Sequence, residues 1–267
     1  MRKTEMRNPR TMHIDRASTA EMLAMIQHEN EVATASVGAA LPAIGTVIDA
    51  LVPRLRAGGR LFYLGAGTSG RLGVLDAVEC PPTFGVPPTL VQGILAGGYE
   101  RLVTAAEGAE DRAEDGEADV RAVGLGPLDT LVGISAAGGA AYVLAAIAYA
   151  REVGALTVGL TSNADSPLAT AADMAIVTDT GAEAITGSTR MKAGTAHKLV
   201  LNMLSTCAMI QLGHVYENLM INLRPTNEKL RHRVISIVCD ITGCDEAEAV
   251  ARLDRSEWSI REAVGKR

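Results

Sequence analysis

The sequence predicts a three-layer α/β fold, in which helices cover both faces of a parallel sheet. Two observations lead to this fold class. Short aliphatic runs alternate with segments of helical periodicity through the middle of the chain, which is the pattern of successive βαβ units. Hydrophobic residues make up 48% of the 267 residues and aromatic residues only 3%. The core must therefore be built from aliphatic side chains, which suits buried parallel strands.

The first sixty residues are predicted to be mostly helical. Ser18-Thr19, with Glu21 and Glu29 nearby, indicates a helix start, and apolar residues recur at helical spacing over residues 32–55. Pro42 is expected to divide this span into two helices, because proline cannot donate the backbone hydrogen bond of a helix interior. Gly58-Gly59 ends the span.

Five buried strands are predicted beyond that point, at residues 60–64, 90–95, 130–135, 156–161 and 174–177. Helices are predicted between them at residues 71–79, 99–106, 111–123 and 142–153, the first of which is stopped by Pro81-Pro82. A long apolar helix is expected over residues 193–217, and the chain after residue 226 is expected to be helical. Strand and helix alternating in this way predict a right-handed parallel sheet.

Composition and charge exclude several classes of function. The net charge of −6 argues against nucleic acid as the main partner, because a phosphate backbone needs clustered Lys and Arg. The four cysteines lack CxxC spacing, and the five histidines do not stand at metal-ligand spacings from them. The polar N-terminus is not a secretion signal, and the longest apolar stretches are interrupted, so no membrane span is expected. These observations predict a soluble cytoplasmic protein without a metal.

A glycine-rich loop follows the first predicted strand and is the first candidate binding segment. It contains Gly67, Thr68, Ser69 and Gly70. Glycines let a backbone approach a ligand closely, and the following helix start offers free N–H groups. The spacing fits the Rossmann fingerprint, but Gln92 stands where an acidic residue should bind the ribose, and the Walker lysine is absent. Two adjacent hydroxyls favour sugar or phosphate binding over a plain connecting turn.

Further candidates lie in a second loop, residues 181–192, and in two carboxylates. The polar side chains of the loop precede the long apolar helix and should lie at the mouth of the sheet, where ligands bind in open parallel sheets. They are Glu183, Thr186, Ser188, Thr189, Arg190 and Lys192. Glu79 and Glu110 are candidates for acid–base chemistry, although by position alone Glu110 would be a surface charge. His197 is interpreted as a helix-face or interface residue rather than a base.

Several long segments of this chain resemble the N-acetylmuramic acid 6-phosphate etherases. They are LGAGTSGRLGVLDAVECPPTFGV (residues 64–86), AAEGAEDR (105–112), TGSTRMKAGTAHKLVLNMLST (186–206), NLMINLRPTNEKL (218–230) and IDRASTAEML (14–23). The similarity runs through nearly the whole chain. It implies a three-layer α/β/α sugar isomerase (SIS) domain, a flavodoxin-like parallel sheet flanked by helices, and a homodimer with sites near the subunit interface.

The resemblance also implies a reaction, in which the lactyl ether of a phosphorylated amino sugar is eliminated and water is added. By motif, Glu79 resembles the proton donor and Glu110 the second acid/base, and no metal or organic cofactor is needed. The expected contacts to the phosphosugar substrate are Gly67, Thr68, Ser69, Gly70, Ser135, Glu183, Ser188, Thr189 and Lys192. A non-catalytic phosphosugar-sensing regulator, similar to the glucokinase regulatory protein, and an SIS-fold isomerase are the alternatives.

Two departures from the family pattern bear on these expectations. Where the family usually has Ala-Ser-Gly-Arg-Thr-Pro-Tyr after the third strand, residues 136–142 read AAGGAAY and lack the hydroxyls and the arginine. That loop would normally help to bind the 6-phosphate. The chain is also shorter at its C-terminus than typical members of that family, so an incomplete helical cap is expected. We expect N-terminal helices over residues 1–57, a sugar-phosphate domain over residues 58–222 and a short helical cap over residues 223–267.

Overall fold

Five parallel strands form the central sheet, as the sequence predicts. The computed structural model describes residues 2–104, 108–223, 225 and 227–265. The strands are β1 (Leu61–Gly65), β2 (Val91–Leu95), β3 (Thr130–Ile134), β4 (Leu156–Thr161) and β5 (Met174–Val177). They lie in the order β2-β1-β3-β4-β5. Each strand begins and ends within about one residue of its predicted range, because buried parallel strands read as continuous aliphatic runs.

Helices cover both faces of the sheet, which confirms the predicted three-layer fold. One face is covered by α1 (Thr19–Arg56), α2 (Gly67–Phe84) and α6 (Lys192–Gln211), and the other by α3 (Ala113–Ala122), α4 (Ala141–Glu152) and α5 (Pro167–Ala171). Successive side chains of a strand point to opposite faces. Leu61 and Tyr63 therefore enter the first core, and Phe62 and Leu64 enter the second.

α1 is one continuous helix, so the predicted break at Pro42 is wrong. It begins with a capping box between Ser18 and Glu21. Pro42 removes the N–H that would bond to the Gly38 carbonyl, but Gly38 is exposed and water can replace that donor. α1 is long and apolar enough to cross a membrane, with a mean hydropathy of 1.7 over its most apolar window. In the structure its apolar side, including Leu51, packs in the core of the domain.

Three other predicted helix boundaries also differ from the structure. α2 runs through Pro81-Pro82 and ends only at Gly85, whose φ of 66° turns the chain. The helix predicted over residues 99–106 is a short 3-10 turn, Tyr99–Leu102, and residues 105 and 106 lie outside the described part of the chain. α6 ends at Gln211, earlier than predicted, and Gly213, with φ 82°, follows it.

The chain beyond α6 forms a hairpin and three helices. β6 (Val215–Tyr216) pairs antiparallel with β7 (Leu219–Met220), and the hairpin leads to α7 (Glu228–Thr242), α8 (Glu246–Arg255) and α9 (Ile260–Ala263). These elements enclose a third apolar cluster, separate from the two cores on the sheet. The helical character predicted for this region is confirmed, whereas the domain boundaries stay predictions.

The N-terminal strap, which we define as residues 2–16, crosses the carboxyl edge of the sheet. The backbone N–H of Lys3 donates to Asn163 Oδ1 at 2.9 Å, and Thr11 Oγ1 donates to the Ala184 carbonyl at 2.8 Å. Asn8 Nδ2 donates to the Ala182 carbonyl at 3.2 Å. The strap is therefore fixed to the loops that follow β4 and β5.

α3 and α4 approach each other closely at Gly116. A methyl group built on Gly116 would lie 1.9 Å from the Tyr142 carbonyl oxygen, which belongs to the backbone of α4. We expect Gly116→Ala to lower the free energy of unfolding by about 1–3 kcal/mol, because the two helices must separate. Gly38→Ala is the matched control, since nothing lies within 4 Å of a methyl group there. It should raise the free energy of unfolding by about 0.5–1 kcal/mol. Urea unfolding of both variants measures the difference, and equal effects would contradict the predicted clash.

Candidate functional site

A cavity of about 560 Å³ opens where β1 and β3 end. In the sheet, β2 lies on one side of β1 and β3 lies on the other side. The strand order therefore reverses between β1 and β3, and this edge is the topological switch point of the sheet. Ligands bind at such points in open parallel sheets. The lining residues are Glu5, Ala66, Gly67, Thr68, Ser69, Gly108, Glu110, Ile134, Ser135, Ala136, Ala137, Ala140, Gly187, Thr189, Gly194 and His197.

The first predicted loop forms one wall of the cavity. Gly67, Thr68 and Ser69 line it directly, and α2 begins at Gly67 without a side-chain cap, so its first N–H groups remain available to a ligand. Gly70 is buried beneath this wall. A methyl group there would lie 2.3 Å from the Gly65 carbonyl oxygen, so only glycine lets helix and strand approach this closely. The loop thus offers hydroxyl and amide donors on a rigid support.

The loop after β3 forms the opposite wall. Ser135 lines the cavity, and its Oγ accepts a hydrogen bond from the Gly138 N–H at 3.1 Å. Ala137 and Ala140 contribute only methyl groups to this wall, as the sequence indicates. Gly139 lies under the strap. A methyl group on it would lie 2.0 Å from Arg2 Nη2, so the Arg2 guanidinium occupies the space of a side chain at this position.

The second predicted loop contributes only part of its polar residues. Thr189 lines the cavity, together with Gly187, while Ser188 is half-buried beside it. Glu183 instead caps α6, where its carboxylate accepts hydrogen bonds from the N–H groups of Lys192 at 2.8 Å and Ala193 at 3.0 Å. Burial raises the pKa of the Glu183 carboxyl. The structure therefore uses Glu183 to begin a helix, away from the cavity wall.

Lys192 is also directed away from the cavity. Its ammonium group pairs with the Glu29 carboxylate, and both side chains are 1% exposed. Arg10 of the strap donates to the same carboxylate at 2.5 Å and 3.0 Å. Burial acts to raise the pKa of Glu29, but the hydrogen bonds from Arg10 and Lys192 outweigh it and lower the pKa to about 2. This buried ion cluster joins α1, α6 and the strap, and it was not among the contacts predicted from the sequence.

The two predicted catalytic glutamates are not brought together within one subunit. Glu110 lines the cavity, within the short 3-10 turn Ala109–Asp111 that follows Gly108. Glu79 lies far along α2, roughly 18 Å from the start of the helix at about 1.5 Å per residue. It is exposed on the same stripe of α2 as Leu75 and Val78, which are 49% and 56% exposed. A single subunit thus presents one of the two carboxylates to its cavity.

Two titratable residues that were not predicted as site residues line the cavity, Glu5 and His197. His197 is 1% exposed, and its Nε2 lies 3.2 Å from Ser162 Oγ. Burial lowers the pKa of His197 to about 4, so the ring is neutral near pH 7. Helical spacing on α6 could not show that this buried position faces a cavity. In the described part of the chain, no three His, Cys, Asp or Glu side chains gather as metal ligands.

Comparison with known proteins finds SIS domains and N-acetylmuramic acid 6-phosphate etherases. The family model of the glucokinase regulatory protein N-terminal SIS domain matches residues 43–151, and the SIS domain model matches residues 115–206. The chain is 52% identical to an N-acetylmuramic acid 6-phosphate etherase from Symbiobacterium thermophilum, over 98% of this chain and 87% of the relative. It is 50% identical to one from Serratia proteamaculans, over 98% of this chain and 88% of the relative.

Solved structures show the same fold. A phosphoheptose isomerase from Francisella tularensis superposes with a TM-score of 0.58 and 20% identity, over 73% of this chain and 100% of that chain. At this identity the likeness concerns the fold alone. The predicted SIS domain is confirmed.

Proposed function

The chain belongs to the N-acetylmuramic acid 6-phosphate etherases, and from that premise we propose that it is a lyase that cleaves the lactyl ether of N-acetylmuramic acid 6-phosphate. The products are N-acetylglucosamine 6-phosphate and D-lactate, and the reaction belongs to amino sugar catabolism in peptidoglycan recycling. The observation that carries the proposal is the cavity at the switch point, in which Glu110 faces a wall of hydroxyl and amide donors. We place the reaction in the cytoplasm.

The proposed reaction is an elimination followed by an addition. The sugar ring opens, and the C1 aldehyde acidifies the proton on C2. A carboxylate removes that proton, the C2–C3 double bond forms, and the C3–oxygen bond breaks with protonation of the departing D-lactate. Water then adds, with hydroxide at C3 and a proton at C2. We assign proton removal to Glu110 and proton donation to Glu79, because paired carboxylates can act as base and acid near neutral pH.

We propose that Glu79 reaches the site of a partner subunit in a homodimer. Its stripe on α2 exposes Leu75 and Val78, and large apolar side chains beside a functional carboxylate suit a surface covered by a second copy. Glu110 and the cavity wall formed by Gly67, Thr68 and Ser69 belong to one subunit, whereas Glu79 lies far from them in that subunit. The dimer would then complete each site with one carboxylate from each copy.

The proposed phosphate contacts are the N–H groups at the start of α2 together with Thr68, Ser69, Ser135, Ser188 and Thr189. Arg2 adds a positive charge, because its guanidinium covers Gly139 and pairs with no carboxylate in the described part of the chain.

We expect Arg2→Ala to raise KM about tenfold with little change in kcat, since a hydrogen bond to a charged group is lost. Adding Gly139→Arg to this variant should lower KM again. An unchanged KM in Arg2→Ala would contradict the assignment.

The decisive experiment is release of D-lactate from N-acetylmuramic acid 6-phosphate by the purified protein. We expect release by the wild type and a loss of at least about a hundredfold in Glu79→Gln, because the amide cannot donate the proton to the leaving group. Glu31→Gln is the matched control, since Glu31 is an exposed glutamate on α1, away from the cavity. Phosphosugar binding by the wild type without release of D-lactate would overturn the proposal and favour a sensing role.

A further inference from the structure

The N-terminal strap brings a third carboxylate, Glu5, to the cavity. Glu5 lines the same cavity as Glu110 and the Gly67–Ser69 wall. A methyl group built on Gly187 would lie 3.5 Å from Glu5 Oε2, so the Glu5 carboxylate lies close to the second loop. Sequence distance conceals this arrangement, because residue 5 meets loops that lie far along the chain.

The position of Glu5 is fixed by its neighbours in the strap. Thr4 is fully buried, and its Oγ1 accepts a hydrogen bond from Asn163 Nδ2 at 3.3 Å. Asn8 is 3% exposed and donates to the Ala182 carbonyl. Buried polar groups that are satisfied in this way rigidify a segment. Glu5 is therefore held at the cavity by a strap that is anchored on both sides of it.

The Glu5 carboxylate has no structural partner of its own. Within the described residues, Lys3 of the strap pairs with Asp179 and Arg10 pairs with Glu29, whereas the Glu5 carboxylate makes no hydrogen bond and no ion pair; Glu5 is bonded only through its backbone N–H, which donates to the Arg2 carbonyl at 3.0 Å. An unpaired carboxylate that a rigid segment presents to a polar cavity is available to bind a ligand or to transfer a proton.

The proposed reaction has a proton transfer that the two assigned glutamates leave unassigned. If Glu110 and Glu79 serve the elimination, opening of the sugar ring needs another acid–base group. The cavity lining offers Glu5 and His197, and His197 is buried against Ser162. Glu5 is the exposed group of the two.

We propose that Glu5 is a catalytic residue that opens the ring of the bound phosphosugar, an inference that rests on the proposed function. Its carboxylate takes the proton of the O1 hydroxyl, the C1–O5 bond breaks and the C1 carbonyl forms. The same proton then passes from Glu5 to O5. Atoms and charges balance without a further reactant, and Glu5 ends in its starting state.

The test uses N-acetylglucosamine 6-phosphate, which has no lactyl ether and can therefore report ring opening without elimination. NMR magnetisation transfer measures the rate of exchange between its α and β anomers, and the uncatalysed rate is subtracted. We expect acceleration by the wild type and a loss of about a hundredfold in Glu5→Gln. Formate should restore part of the exchange in Glu5→Ala, which a purely structural role of Glu5 would not allow.

Asp15→Asn is the matched control, because Asp15 is an exposed acid of the same strap and does not line the cavity. Anomer exchange at the wild-type rate in Glu5→Gln would overturn the assignment, as would a wild type that fails to accelerate exchange. D-lactate release by the wild type is measured separately. Its absence would refute the etherase proposal itself, so the two failures can be told apart.

Discussion

Mixing the inactive Glu79→Gln and Glu110→Gln variants restores about a quarter of wild-type D-lactate release, if each site takes one glutamate from each subunit. Random exchange makes about half of the dimers mixed, and one of the two sites in a mixed dimer holds both carboxylates. The structure motivates this expectation because Glu110 lines the cavity of its own subunit, whereas Glu79 is exposed on the outer stripe of α2.

The experiment requires that subunits exchange, which a tagged and an untagged variant can show by co-purification. Each variant alone, taken through the same exchange, should remain inactive. The double variant Glu79→Gln/Glu110→Gln mixed with wild type is a further control, because its mixed dimers contain no site with both carboxylates. Verified mixed dimers without activity would show that Glu79 does not act across the interface, and a monomeric active protein would exclude the arrangement altogether.

Most of the fold could be predicted from local patterns. The five strands were predicted because each is a short aliphatic run bounded by glycine or polar residues. The errors fall where tertiary structure overrides a local rule. α1 continues through Pro42 because the carbonyl that loses its donor, that of Gly38, is exposed to water. α6 ends early because the chain forms the β6–β7 hairpin, a pairing that helical periodicity cannot reveal.

The candidate site could be predicted only in part. The Gly67–Ser69 wall and Ser135 were found because each follows a strand at the carboxyl edge of the sheet. Glu5 was missed because its approach to the cavity depends on contacts of the strap with distant loops. Lys192 was predicted as a substrate contact from its place in a polar loop, but its ammonium group is directed to Glu29 in α1.

One signal for that contact was present in the sequence. Glu29 falls on the buried side of α1, in line with Ala33, Val37 and Ala40 at helical spacing. A carboxylate on an apolar helix face requires a partner, because an unpaired buried charge is strongly unfavourable. The pattern therefore predicts that some cation meets Glu29, although it cannot identify that cation as Lys192 on a helix far along the chain.

Lys192→Met is expected to lower the free energy of unfolding by about 3–5 kcal/mol, because it removes one partner of a buried ion pair. Glu29 and Lys192 are each only 1% exposed, so water cannot replace the missing ammonium group. Arg10 would remain as a partner of Glu29 and limits the loss. Lys198→Met is the matched control, since Lys198 is an exposed lysine on the same helix, and its effect should stay within about 0.5 kcal/mol. Urea unfolding at pH 7 measures both.

A second substitution separates the buried charge from the packing. The double variant Lys192→Met/Glu29→Gln should be more stable than Lys192→Met, because no buried carboxylate is left without its ammonium partner.

The pH dependence of stability gives an independent check. The pKa of Glu29 is lowered from 4.5 to about 2 in the folded protein, so its stabilising contribution is full above pH 4.5 and is lost as the pH falls towards 2. Glu29→Gln should therefore lose stability at pH 7 but approach the wild type near pH 2. A Lys192→Met variant as stable as Lys198→Met would show that the cluster does not hold α1, α6 and the strap together.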